Sequence, residues 1–246
     1  MRRKLPLGIM ISSMVLYTST YLHPQTITWK GHQWILTAGG MAGGVAKGDP
    51  ANINVDSSGY LHLRIVERRG KWTASEMFTA DNLGFGTYQW VVQGDVYNMD
   101  KSTVLGLFSY GPAHHVGVDG ENEIDIEFSQ WNKTCSGCNA DFTVYPLTGN
   151  RKPDGSPSSE ENFYVAGETL TTARMEWRSG EIVFTIMNGV QPIGTTANVI
   201  RTKTYMSNTV SIPQDAAAAG INLWCFQKTP SKDQSVVIRD FQFVAQ

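Results

Sequence analysis

Apolar and polar residues alternate along much of this chain. Asn52-Ile53-Asn54-Val55 and Tyr60-Leu61-His62-Leu63-Arg64-Ile65 flank Asp56-Ser57-Ser58-Gly59, which predicts a hairpin closed by a short turn. Glu181 to Ile186 is rich in β-formers and lies between Ser179-Gly180 and Asn188-Gly189, and the second pair predicts a type I′ turn. No stretch keeps helical periodicity over three turns; Asp215 to Ala219 has room for one turn before Gly220. Gly39 to Gly48 and Thr148 to Pro157 carry turn-forming residues and read as loops rather than linkers. Repeats are absent, and the pattern predicts an all-β sandwich with residues 25–246 as one domain.

The strictest alternation is Glu123-Ile124-Asp125-Ile126-Glu127-Phe128. In a strand, Ile124, Ile126 and Phe128 share one face and can enter a core, while Glu123, Asp125 and Glu127 share the other. Three like charges at neighbouring positions raise at least one pKa and bring folding no evident benefit. A carboxylate pair with one member ionised and the other protonated is what glycosidic cleavage with retention requires. The bland reading is a half-buried strand with an acidic solvent face. Aromatics at Phe108, Tyr110 and Trp131 around the segment favour a sugar site.

Composition narrows the partners. A net charge of −2, with 20 basic and 22 acidic residues in 246, argues against nucleic acid or an anionic membrane as the main partner, because both need clustered Lys and Arg. A neutral polymer fits better, and seven Trp, nine Tyr and ten Phe suffice for both a core and a stacking cleft. Arg2, Arg3 and Lys4 precede an apolar stretch from Leu5 to Tyr17, too short to span a bilayer and suited to a secretory signal. Residues 1–24 are read as a signal peptide or an N-terminal hydrophobic segment; an uncleaved anchor and a mis-set start are the alternatives. A secreted or extracytoplasmic location is expected. Cys135 and Cys138 are spaced for a small disulfide loop, with two free thiols as the alternative, and Cys225 reads as a buried thiol. Adjacent His114 and His115 point to opposite faces of extended backbone, which favours a solvated loop over a metal site.

The Glu-Ile-Asp-Ile-Glu-Phe run resembles the catalytic strand of glycoside hydrolase family 16, the retaining endo-β-glucanases and their transglycosylase relatives. Weaker similarities follow in the family's order from Ile27 to Val244: Gly84-Phe85-Gly86-Thr87-Tyr88, Leu107-Phe108-Ser109-Tyr110-Gly111-Pro112, Met175-Glu176-Trp177, Asn188-Gly189 and Asn222-Leu223-Trp224. The resemblance implies a jelly roll of two curved antiparallel sheets (concanavalin A-like), with substrate across a concave face. It makes Glu123 the nucleophile, Glu127 the acid/base and Asp125 the group between them. Positions four apart on a strand are roughly 13 Å apart by rise, whereas a retaining pair needs carboxyls about 5–5.5 Å apart. Long Glu side chains on a concave face lean toward each other across Asp125.

The resemblance also places Glu76 in the sugar cleft, and Phe108, Tyr110, Tyr145, Asn222 and Trp224 among its sugar contacts, these five each with a core role as the alternative; Trp131, just beyond the acidic strand, is read as a platform at the cleft end or a cap on the core. It implies a structural calcium held by the Gly59 carbonyl and the Asp240 side chain, and no cofactor for catalysis. Family members specific for mixed-linkage glucan carry Arg and Trp where this chain has Phe78 and Glu121; those acting on β-1,3-glucan insert a residue between the equivalents of Asp125 and Glu127, which this chain lacks. A β-1,4-containing β-glucan is therefore the expected substrate, mixed-linkage glucan first, acted on by a monomer. The competing readings are a glucan or xyloglucan transglycosylase and a noncatalytic, lectin-like protein on the same fold.

Overall fold

The computed structural model describes residues 24–41, 44–111 and 120–246. The N-terminal signal reading and the His114-His115 pair fall outside them, apart from Pro24. Sixteen strands follow in order: β1 (Thr26–Trp29), β2 (His32–Leu36), β3 (Lys47–Gly48), β4 (Ile53–Val55), β5 (Leu61–Arg68), β6 (Lys71–Leu83), β7 (Gly86–Gln93), β8 (Thr103–Tyr110), β9 (Glu123–Ser129), β10 (Ala140–Val144), β11 (Ser159–Phe163), β12 (Leu170–Trp177), β13 (Glu181–Asn188), β14 (Val199–Met206), β15 (Ala217–Cys225) and β16 (Gln234–Ala245).

These strands form a jelly-roll β-sandwich. One sheet runs β11-β10-β9-β8-β15-β6, with β2 and β1 continuing beyond β6; the other runs β5-β16-β7-β12-β13-β14, with β4 on β5. The β5–β6 hairpin crosses between them, because the first residues of β6 pair with β5 and the later ones with β15 and β2. All pairings are antiparallel except the short β3–β6 contact.

The core lies between the sheets. Phe142 of β10 stacks on Phe184 of β13 with ring centroids 4.8 Å apart, and Trp34 of β2 meets Phe241 of β16 edge-on at 5.2 Å. Ile124, Ile126 and Phe128 are fully buried in this core, so the apolar half of the acidic strand anchors it and fixes its register.

Two local expectations are corrected. Asn188-Gly189 does not close a two-residue turn: β13 and β14 are joined by residues 189–198, and the Asn188 amide bonds to the Asn198 carbonyl. The Asn188 side chain instead accepts the amide of Glu168, so its preference for turns serves a neighbouring loop. Asp215 to Ala219 forms no helical turn, because Ala217, Ala218 and Ala219 enter β15. Ala218 packs under Phe78 and Phe108, where a small side chain is needed and sheet packing overrides helix propensity.

Candidate active site

Strand β9 lies within its sheet, paired to β8 and β10 without a shift in register from Ile124 to Phe128. Pairing therefore sets out the concave face in rows. Glu76 of β6, Asn222 of β15, Gly106 of β8, Glu127 and Asp141 of β10 follow one another across five strands. The adjacent row holds Phe78, Gly220, Phe108, Asp125 and Thr143, and Glu123 sits opposite Tyr110 in the next.

Two glycines make these rows possible. The Asn222 side chain lies over Gly106, accepting its amide at 3.0 Å, and a Cβ there would come within 2.5 Å of Asn222 Oδ1. Phe108 covers Gly220 in the same way.

The three carboxylates do not share one environment. Asp125 is 4% exposed, whereas Glu123 and Glu127 are half-buried and reach the cleft. Burial pushes Asp125 well above the usual carboxylate range, and the charges of Glu123, Glu127 and Asp141 push it further. Its hydrogen bond with Glu123 acts in the same direction, so Asp125 holds the proton and Glu123 accepts. Glu127 is also raised well above the usual range, by burial first and then by the charges of Asp141, Glu123 and Glu160. The Trp224 indole opposes this shift, although its N–H makes no hydrogen bond of ordinary geometry. Glu76 is raised by burial, with the Thr37 and Asn222 side chains favouring its charged form.

The cleft continues on both sides of this carboxylate floor. On one side Glu76, Phe78, Phe108, Tyr110, Asn222 and Trp224 line it together with the three carboxylates. On the other side Trp131, Tyr145, Arg151 and Phe226 surround the same carboxylates. Beyond them the groove reaches Asp141, Thr143, Glu160 and Asn162. Every residue expected in the sugar cleft thus lines one continuous surface.

Phe78 meets Phe108 edge-on at 5.5 Å and Tyr110 at 6.1 Å, forming an aromatic wall. Glu121 is buried and accepts the Gly149 amide at 2.7 Å. Trp131 adopts a left-handed backbone, φ 47°, and packs edge-on against Trp224 at 6.1 Å and Phe226 at 5.1 Å. Its loop also carries the disulfide joining Cys135 and Cys138, and Cys225 is buried with its thiol pushed up to about 12.

Sequence reading did not single out Asp141, which is 1% exposed. It accepts the Trp131 indole N–H at 2.9 Å and the Thr143 hydroxyl at 3.0 Å, on different oxygens. Ala-Asp-Phe-Thr-Val has the same two-residue period as the acidic strand, but only the β9–β10 register reveals that Asp141 faces Glu127.

Gly59 and Asp240 both approach the β1–β2 turn. The Gly59 carbonyl already accepts the Trp29 indole N–H at 2.9 Å, and Asp240 is ion-paired with Lys30 at 3.0 Å. A calcium ion takes six to eight oxygen ligands. Asp240 is committed to Lys30 and two oxygens are too few for such a shell, and among the described residues no group of three or more His, Cys, Asp or Glu is placed to hold a metal.

No family model matches the chain, and no curated protein matches it in sequence. Solved structures match its fold. It is similar to a Bacillus licheniformis beta-glucanase, at 16% identity over 87% of this chain and 92% of that one, with a TM-score of 0.63. A beta-1,3-1,4-glucanase (lichenase) derived from a mouse hindgut metagenome matches at 19% identity over 85% and 92%, TM-score 0.60. A glycoside hydrolase family 16 endo-glucanase from Bacteroides ovatus, in complex with G4G3G-2F-DNP, matches at 11% identity over 86% and 94%, TM-score 0.64. The fold is that of glycoside hydrolase family 16 glucanases.

Proposed function

We propose that this protein is an exported retaining endo-glycosidase that cleaves internal linkages of a β-1,4-containing β-glucan. The observation that carries the reading is the carboxylate strand on the floor of a cleft that extends to both sides of it. An open groove accommodates a polymer and permits attack at internal bonds. Glucan-active enzymes among its structural neighbours support the substrate class.

In the first step a Glu123 oxygen bonds to the anomeric carbon as the glycosidic C–O bond breaks, and Glu127 gives its proton to the departing oxygen. In the second, Glu127 takes a proton from water, the water oxygen bonds to the anomeric carbon, and Glu123 is released as carboxylate. Asp125 donates to Glu123 and stabilises the charge that returns there. The raised pKa of Glu127 suits it to hold a proton until the leaving oxygen needs it.

The uninterrupted β9 register favours β-1,4-containing glucans over pure β-1,3-glucan, with mixed-linkage glucan ahead of xyloglucan. The purified chain, incubated with soluble β-glucans, galactans and xyloglucan, should give shortened chains from mixed-linkage glucan. Proton NMR should find the first-formed anomer to be β. Glu123→Gln and Glu127→Gln should each remove nearly all turnover while remaining folded. Binding without cleavage across the panel would replace this reading with a lectin.

A further inference from the structure

Asp141 has no part in the reaction as described, yet it is the most deeply buried of the carboxylates around the cleft, at 1% exposure. It faces Glu127 directly across the β9–β10 pair. Side chains directly opposite in such a pair have Cβ atoms about 4.5–5.5 Å apart, and like charges there disfavour each other. A sheet gains nothing from this placement. Both Asp141 oxygens nevertheless receive donors, from the Trp131 indole and the Thr143 hydroxyl, an arrangement that favours a carboxylate over a carboxylic acid.

We infer that Asp141 is a positioning residue for the acid/base: its charge, held by Trp131 and Thr143, keeps the proton on Glu127 until the leaving oxygen takes it. The inference rests on the acid/base role given to Glu127 above. Among the charges acting on Glu127, that of Asp141 is the largest influence holding its proton, ahead of Glu123 and Glu160. Burial, and to a lesser degree the charge of Glu160, push Asp141 upward and its two donors pull it back, leaving it at about 7, so its charge acts on Glu127 as the pH rises past that point.

Among the described residues, the surroundings of Glu127 leave few other groups for this task. On its own strand lie Glu123 and Asp125, committed to one another by their hydrogen bond. Strand β8 presents Gly106, without charge, and β15 presents Trp224, which acts in the opposite direction. From β11 comes Glu160, a weaker influence, while Glu76 of β6 lines the opposite side of the cleft. Tyr145 and Arg151 border the same compartment; Tyr145 is raised by burial and is neutral at working pH. Trp131 thereby links sugar contact to protonation, since one ring both borders the groove and holds Asp141.

Asp141→Asn keeps shape and an acceptor while removing the charge. In full-length protein carrying glutamate labelled with carbon-13 at the side-chain carboxyl, with Glu127 assigned through Glu127→Gln, the Glu127 carboxyl should titrate lower in Asp141→Asn by about one pH unit. That is the order expected for two like charges a few ångström apart. The alkaline limb of kcat/KM should move down by the same amount with KM little changed, and an aryl glycoside whose leaving group needs no acid should lose less rate than the glucan.

Trp131→Phe removes one donor to Asp141 and should shift Glu127 in the same direction by less, which carries the test if Asp141→Asn does not fold. An unmoved Glu127 titration in either folded variant overturns the inference. The titration needs no turnover, so a wild-type protein that cleaves no glucan would sink the enzyme reading while leaving the Asp141–Glu127 link measurable.

Discussion

The ring of Phe108 occupies the space in which Gly220 would carry a side chain: a Cβ built there lies 2.4 Å from Phe108 Cζ. The aromatic wall of the cleft therefore depends on a glycine in the next strand, and Gly220 is there for its size. Gly220→Ala should cost about 1–3 kcal/mol by overpacking, measured by urea unfolding, and should weaken glucan affinity. Adding Phe108→Leu should restore stability without restoring affinity. Recovery of both would remove Phe108 from the binding surface.

The acidic floor should make stability fall with rising pH. Asp125, Glu127 and Asp141 all hold protons in the folded chain above the ordinary carboxylate range, Asp141 to about 7. The unfolded chain releases the same protons near pH 4. Between these limits the folded state binds more protons, so the stabilisation is complete below about pH 4 and is lost as pH rises through the folded values. Glu127→Gln removes one such group. Its melting temperature should match wild type near pH 4 and exceed it at pH 8 by a few degrees, at about 2–4 °C per kcal/mol for a chain of this size. A wild-type advantage at pH 8 would show that the cluster is relieved in some other way.

Lys30 supplies Asp240 with a cation of its own. Calcium added in excess to chelator-stripped protein should therefore leave the melting temperature unchanged. A rise that grows with calcium concentration, the signature of binding to the folded state alone, would restore a metal to this corner.

The sequence made the sandwich legible because its strands carry period-two patterns, and Ile124, Ile126 and Phe128 could be assigned to the core without knowing their neighbours. The Glu-Ile-Asp-Ile-Glu run disclosed its chemistry for the same reason. What stayed hidden depends on pairing between distant segments. Asp141 gains meaning only opposite Glu127, and Gly106 only beneath Asn222, 116 residues away along the chain. Asn188-Gly189 misled because a dipeptide preference says nothing about which loop the asparagine will brace. The calcium expectation named Gly59 and Asp240, whose contacts with Trp29 and Lys30 cannot be read from their places along the chain.

The two strands that end the main order of the sandwich, β11 and β14, are bridged to each other by side chains. Glu161 on the first takes both Arg201 and Lys203 on the second, and those cations lie over the rings of Phe163 and Tyr205. A bare edge strand is a template on which another chain can extend the sheet. Here an approaching strand meets bulky charged side chains already locked in pairs. The latch that closes the rim of the sandwich thus also guards it against growing into a larger sheet.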